Sequence, residues 1–339
     1  MLREPMGKYS VGTCYFDTDY IGMGNKKRRL PIMVFYPSDT KGERCIYKTK
    51  DYFKAKIEEK DAEYDTDVIT HCYDYVSLSA KRKQYPAIIY SHGLNGYLMD
   101  STVLCTDLAS YGYIVFSVGH PYGSEFTYYQ DGTYFSEWQE VIGDNPKVSM
   151  RENIKLLLRL LPIRSIKKRY SDWMKYSEKY MQIQQKLIPL WKEDFIGGLD
   201  YIEKISQGKI ESIFKGRLAL KKGIGAIGMS LGGLCAVSAA VEDHRLSYGI
   251  NIDGGIFTRL NYVRKDVPLL VLHEVINIFS YMPLKALHRK NTKTKVIRGL
   301  THWEFADGVY LSDKGKKDAK WAAQKSKEKT MACLSFIKE

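Results

Sequence analysis

The segment that most constrains this chain is Gly228-Met229-Ser230-Leu231-Gly232-Gly233. It ends a short apolar run, Ile224–Met229, and opens a run of small residues, Leu234–Val241. G-x-S-x-G between a strand and a helix is a nucleophile elbow: the sharp turn strains the serine and projects its Oγ at the edge of a sheet. Gly228 and Gly232 leave room for neighbouring backbone to pass close. The helix that follows offers N–H groups and a partial positive charge to a developing oxyanion. An overlapping pattern, Gly223-Ile224-Gly225-Ala226-Ile227-Gly228, has dinucleotide-fingerprint spacing, but its glycines precede the strand or lie inside it. That fingerprint needs them after the strand, so we reject it.

The rest of the chain supplies a sheet for such an elbow. Apolar runs predict strands over Leu30–Tyr36, Ala87–Ser91, Tyr113–Gly119, Ile224–Met229, Tyr248–Asp253, Pro268–His273 and Thr294–Arg298. Most are continuous rather than alternating, as in parallel strands buried on both faces. Helical patterns fall between them at Met99–Tyr111 and Leu231–Glu242, and after them at Lys317–Ile337. The class is therefore α/β, the α/β-hydrolase fold: a mostly parallel central sheet flanked by helices in one domain, 1–339. From Trp138 to Ser206 no strand pattern occurs, only long helical patterning. This predicts a cap-like insertion before the nucleophile strand, packed over the sheet edge. Lys48–Lys83 reads as a second excursion.

A serine alcohol needs a base, and in this architecture the chain order is Ser, acid, His. Four of the seven histidines follow Ser230. His244 ends the nucleophile helix, His273 ends an apolar strand, and His288 lies in a Lys/Arg-rich stretch read as surface. His302 follows the last strand, ahead of the terminal helix, and is the predicted base. Two acids compete: Asp253, which ends one strand before two glycines, and Glu274, which ends the next. The pattern alone does not separate them. Ser91-His92-Gly93-Leu94-Asn95-Gly96 resembles an H-G loop, so the N–H groups of Leu94 and Leu231 are the expected oxyanion hole.

Composition limits the alternatives. The formal net charge is +13, which favours anionic surfaces. The basic residues are dispersed, however, and runs such as Lys26-Lys27-Arg28-Arg29 and Lys314–Lys317 read as loop or terminal segments without aromatic interleaving, so no nucleic-acid partner is expected. Six scattered cysteines without paired spacing argue against zinc and against a disulfide scaffold. No metal or cofactor is expected. The N-terminus lacks an apolar signal core, and no apolar run approaches a membrane span, so the expected location is cytoplasmic. The basic amphipathic stretch Ile163–Leu187, with Lys167, Lys168, Arg169, Tyr170, Trp173 and Tyr180, suggests weak docking on anionic membrane; its ordinary alternative, a packed cap helix with one solvated face, takes precedence.

These residues together resemble the plasma-type and type II platelet-activating factor acetylhydrolases and, more distantly, dienelactone-hydrolase-like esterases. The similarity runs from Tyr9–Gly12 and Pro31–Pro37 through Ser91–Leu94 and Asp107–Val115. It continues at Ile227–Gly233, Gly249–Asp253, Ile297–His302 and Phe305–Asp307. It implies a triad of Ser230, Asp253 and His302, which favours Asp253 as the acid, and calcium-independent hydrolysis of short or oxidised acyl esters of phospholipids. Met229, Gly254, Gly255 and Gly119–Gly123 depart from the family pattern, and the 138–206 insertion has no matched counterpart. The activity expected is two-step acyl transfer through an acyl-enzyme. The alternatives are a general carboxylesterase acting on small soluble esters and a non-catalytic binding protein on the same fold.

Overall fold

The computed structural model describes residues 2–22, 25–47, 68–121, 123–124, 127–135, 145–261, 263–264, 266–287 and 290–339. Its strands are β1 (Ser10–Ile21), β2 (Lys27–Ser38), β3 (Arg44–Tyr47), β4 (Val68–Asp74), β5 (Ala87–Ser91), β6 (Ile114–Val118), β7 (Thr127–Tyr128), β8 (Tyr134–Phe135), β9 (Ile224–Met229), β10 (Leu246–Ile252), β11 (Leu269–His273) and β12 (Thr292–Val296). Ten of them form one sheet in the order β12-β11-β10-β9-β5-β6-β2-β1-β4-β3, and β7 pairs β8 apart from it. From β12 to β6 every neighbour pair is parallel. β2 then pairs antiparallel with both β6 and β1. The predicted strands are present, most with ends moved by a residue or two. β1, β3 and β4 extend the sheet beyond the prediction; β4 lies in the Lys48–Lys83 stretch, whose residues 48–67 are outside the described ones.

Four of the parallel strands, β5, β6, β9 and β11, are buried throughout, while the edge strand β12 exposes Lys293, Lys295 and Val296. Alternate side chains face two helical layers. Ile89, Phe116, Val118 and Ala226 join one core with α4 (Gln182–Ser206) and α5 (Leu231–Ala240). Ile88, Tyr90, Val115 and Ile227 join the other with α1 (Thr102–Ser110) and α9 (Ala319–Lys338).

The insertion is not a single cap. α2 (Met150–Arg159) and α3 (Ile166–Tyr180) pack on α6 (Ile278–Leu287) around Leu156, Leu160, Trp173, Met174 and Met282, a small core of their own. α4 instead lies on the sheet itself. Its side chains Leu187, Trp191, Phe195, Leu199 and Ile202 belong to the main core, each worth about 1.5–3 kcal/mol of burial. A Cβ on Gly198 would stand 2.9 Å from both Ile89 and Val118, so glycine is what lets this helix sit against the strands. Residues 138–144 lie outside the described ones.

The basic run near residue 28 is also not a loop. Lys27, Arg28 and Arg29 start β2, and Arg28 forms a double hydrogen bond with the fully buried Asp194 of α4 at 2.8 and 2.9 Å. Two short helices, α7 (Gly308–Leu311) and α8 (Asp313–Lys317), precede α9. All loops that carry candidate site residues leave the C-terminal ends of the parallel strands, where open α/β sheets build their crevices.

Candidate active site

The elbow forms because three backbone segments converge where side chains cannot fit. A Cβ on Gly228 would lie 2.1 Å from the Gly232 carbonyl oxygen, and one on Gly232 would lie 2.2 Å from that of His92. Ser230 is thereby turned to φ 55° and ψ −122°, outside the favoured region for a residue with a Cβ. Its N–H is tied to the Ile252 carbonyl at 2.8 Å, and its Oγ stands clear at the start of α5.

From Oγ a hydrogen-bonded chain runs through three loops. Ser230 Oγ donates to His302 Nε2 at 2.9 Å, and His302 Nδ1 donates to Asp253 Oδ2 at 2.7 Å. His302 sits in a short 3₁₀ turn, His302–Phe305, capped by reciprocal bonds between Thr301 and Glu304, which fixes the loop after β12. Asp253 follows β10 with φ 53° and is fully buried. Its Oδ1 accepts the Glu274 N–H at 2.9 Å and Asn277 Nδ2 at 3.0 Å. Asn277 Nδ2 also donates to the Asp253 carbonyl. Both carboxylate oxygens are thus occupied, and the one facing His302 is held in place by the bonds on the other.

Glu274, the competing acid, is close but not in the chain: its backbone serves Asp253, and its side chain makes no hydrogen bond among the described residues. Burial, and after it the Asp253 carboxylate, raises its pKa. Of the other histidines, His244 is exposed, His273 is buried against Tyr281 at 4.6 Å, and His288 lies outside the described residues. The pattern reading missed Asn277 and Asn251. Asn251 bonds both the N–H and the carbonyl of Gly254 at 2.8 Å, closing the turn on which Asp253 stands. Gly254, one of the departures from the family pattern, has its Cα against the Ser230 carbonyl, where a Cβ would come within 2.1 Å.

The two expected oxyanion donors flank Ser230. Leu231 begins α5, so its N–H has no partner within the helix. The Leu94 N–H has no acceptor among the described residues. The loop that carries Leu94 abuts Ser230, with a hypothetical Gly93 Cβ 3.0 Å from Met229 Sδ and 3.1 Å from Ser230 Cβ. Two hollows open from the serine. One of about 150 Å³ is lined by Leu94, Tyr97, Trp303, Ala306 and Leu311. The other, of about 240 Å³, is lined by Gln184, Leu231, Phe257, Asn277 and Phe279. Among the described residues no group of three His, Cys, Asp or Glu side chains is placed to hold a metal.

A proton acceptor aligned on a strained serine, beside free backbone donors, can carry out acyl transfer. Comparison with known proteins agrees. A family profile described as "Platelet-activating factor acetylhydrolase, isoform II" matches residues 1–334. The platelet-activating factor acetylhydrolase of Bos taurus is 26% identical over 330 residues, covering 91% of this chain and 68% of that protein. That of Canis lupus familiaris is 24% identical over 326 residues, with the same coverage. A ferulic acid esterase from Streptomyces cinnamoneus superposes with a TM-score of 0.63 at 18% identity, over 99% of this chain and 89% of its own, a likeness of fold. The chain belongs to the platelet-activating factor acetylhydrolase, isoform II, family, and it is a hydrolase of carboxylic esters on the α/β-hydrolase fold.

Proposed function

We propose that Ser230, His302 and Asp253 are its catalytic triad, with the N–H groups of Leu94 and Leu231 as oxyanion hole, and that it hydrolyses short acyl esters. The observation that carries this reading is the unbroken chain Ser230 Oγ–His302–Asp253 at 2.9 and 2.7 Å. His302 takes the proton as Ser230 Oγ attacks the ester carbonyl, and the two N–H groups hold the tetrahedral oxyanion. His302 then protonates the leaving alcohol, and water repeats the cycle on the acyl-enzyme. Asp253 holds the Nδ1–H tautomer and stabilises the imidazolium.

The substrate part rests on size and on the relatives. A hollow of about 150 Å³ has the volume in which a closed cavity takes benzene; open on one side, it suits a short arm of the ester. Relatives named for acetyl hydrolysis of platelet-activating factor suit a short acyl arm and suggest a phospholipid substrate. A p-nitrophenyl ester series from acetyl to dodecanoyl, with wild type beside Ser230→Ala, tests both points. Activity that falls as the acyl chain lengthens and vanishes in the variant supports the reading. Equal rates from both proteins sink it.

Contact with an anionic lipid surface belongs to the same proposal, at a different place from the sequence expectation. Residues 163–187 do not form one free amphipathic helix: Trp173 and Tyr180 are buried, and Trp173 Nε1 donates to the Ile256 carbonyl at 2.6 Å. α2 carries the exposed apolar side chains instead, Met150, Ile154, Leu157 and Leu158, beside Arg151, Lys155 and Arg159. Sedimentation with phosphatidylserine/phosphatidylcholine vesicles at low salt, for wild type and Leu157→Asp/Leu158→Asp, tests it; equal pelleting of the two dismisses α2. A cytoplasmic location is also part of the proposal, since all six cysteines are free thiols, five of them buried, as suits a reducing compartment.

A further inference from the structure

Behind the oxyanion loop lies a buried polar cluster that the triad does not use. His92, the residue before Gly93, is fully buried. Its Nδ1 lies 2.7 Å from the Gly93 carbonyl oxygen, which can only accept, so Nδ1 carries the proton. Its Nε2 lies 3.2 Å from the His120 backbone N–H, which can only donate, so Nε2 carries none. The ring is neutral and its tautomer is set from both sides. Burial, then the neighbouring His120, disfavours its protonation further.

His120 is anchored in turn. It stacks on Trp191 at 4.1 Å, its Nδ1 donates to Asp194 at 3.2 Å, and Ser91 Oγ lies 2.7 Å from its Nε2. Asp194 is neutralised by Arg28. The cluster thus ties the end of β5 to α4 and to β2.

One peptide unit makes this matter for chemistry. The Gly93 carbonyl and the Leu94 N–H belong to the same peptide, and no peptide of the described chain is cis. In a trans unit the two groups point in opposite directions on one rigid plane. A bond that holds the carbonyl from behind therefore aims the N–H in front. The geometry points to His92 as the positioning residue of the oxyanion hole: its Nδ1–H pins the Gly93 carbonyl so that the Leu94 N–H faces the oxygen of the ester carbonyl attacked by Ser230. Further bonds hold the same turn, among them Gly96 N–H to the Gly93 carbonyl at 2.9 Å, Asn95 N–H to the Gly123 carbonyl at 3.1 Å and Gly93 N–H to Asp100 Oδ2 at 3.4 Å. Gly96 and Asn95 donate from their backbone, and Asp100 accepts from the Gly93 N–H rather than holding its carbonyl, so His92 is the side chain whose substitution tests the hold on that carbonyl. The inference rests on the esterase reading, because it assigns a task to an oxyanion donor.

The test compares His92→Leu with His92→Asn, whose amide nitrogen sits close to Nδ1 and also donates. Rates are taken per titratable serine, so that misfolded protein does not count. The expected result for His92→Leu is a kcat lower by about tenfold to a hundredfold at nearly unchanged KM, short of the 10²–10³ for deleting a donor outright. Binding of a trifluoromethyl ketone, which forms the tetrahedral oxyanion on Ser230, weakens by a similar factor. His92→Asn stays within about threefold of wild type in both, since its donor is retained. Wild-type behaviour of His92→Leu, or equal loss in both variants, overturns the inference. A second measurement does not depend on the variants folding: in wild-type protein labelled with ¹⁵N-histidine, His92 shows a protonated Nδ1 and a bare Nε2 at neutral pH. The opposite tautomer, or an imidazolium, overturns it as well. Turnover surviving Ser230→Ala would instead remove the esterase reading and leave the tautomer measurement standing.

Discussion

Replacing Asp253 with Asn exchanges one carboxylate oxygen for an NH₂ group, and the surroundings decide which one. Oδ1 receives two donors, the Glu274 N–H at 2.9 Å and Asn277 Nδ2 at 3.0 Å, so the amide oxygen of Asn must stay there. The NH₂ is then turned to His302 Nδ1, 2.7 Å from the present oxygen. A donor there obliges Nδ1 to accept, which moves the ring proton to Nε2, the atom that takes the Ser230 proton in the proposed mechanism. The variant keeps its geometry and holds the wrong tautomer. Such an inversion costs on the order of 10⁴ in kcat, about 5.4 kcal/mol of transition-state stabilisation. Stability changes less: two charge-assisted bonds become neutral ones, about 2 kcal/mol in total. Glu274→Gln is the companion, and with no hydrogen bond to His302 it alters kcat less than about fivefold. The assay is p-nitrophenyl acetate hydrolysis at neutral pH, with thermal unfolding of each protein as the control. Asp253→Asn within tenfold of wild type, or a loss in Glu274→Gln as large as its own, would refute the argument and transfer the acid role to Glu274.

Two other outcomes concern the frame of the site. Gly232→Ala puts a methyl group 2.2 Å from the His92 carbonyl oxygen and 2.3 Å from that of Ser91, so thermal unfolding should register a loss of roughly 3 kcal/mol or more; an unchanged Tm would show that the loop and α5 are not in contact. Burial pushes the Asp307 carboxyl up to about 7, above the unfolded value of about 3.9. Its favourable contribution is therefore full below pH 4 and lost as pH rises through 7. Urea unfolding at pH 5, 6.5 and 8 should show wild type losing stability relative to Asp307→Asn, on the order of 3 kcal/mol across the range, and a constant gap would contradict the sign. Asp100, raised to about 6 by burial, adds its own charge to the Asp307 shift, so the same comparison in an Asp100→Asn background separates the two.

The residues readable in the sequence were those whose role is local. Ile224–Met229 and Leu231–Ala240 flank Ser230 as a strand and a helix would, and the glycines of the elbow are dictated by contacts within a few residues of each other. His302 followed from chain order together with its place after the last strand and ahead of the terminal helix. Asp253 and Glu274 could not be ranked by pattern, because the difference is a φ of 53° and the side chain of Asn277, neither of which leaves a periodic mark. β1 was missed for a physical reason: Phe16, Thr18 and Tyr20 are only partly buried and alternate with Asp17 and Asp19, so no apolar run appears. α4 was taken for part of a cap because its length exceeds a crossover. Its signal lay in Leu187, Trp191, Phe195, Leu199 and Ile202, a stripe wide enough for a sheet, with Asp194 set among them. An acid within such a stripe calls for a buried cation, and Arg28, which supplies it, is 166 positions away.

The central claim, that Ser230 is the nucleophile, is tested most directly by covalent trapping. The protein is incubated with a fluorophosphonate, digested, and the modified peptide mapped by mass spectrometry, with Ser230→Ala treated in parallel. One adduct per chain is expected, on Ser230, formed in step with the loss of esterase activity and absent from the variant. An adduct on another residue, or full activity in a protein whose Ser230 is blocked, would contradict it.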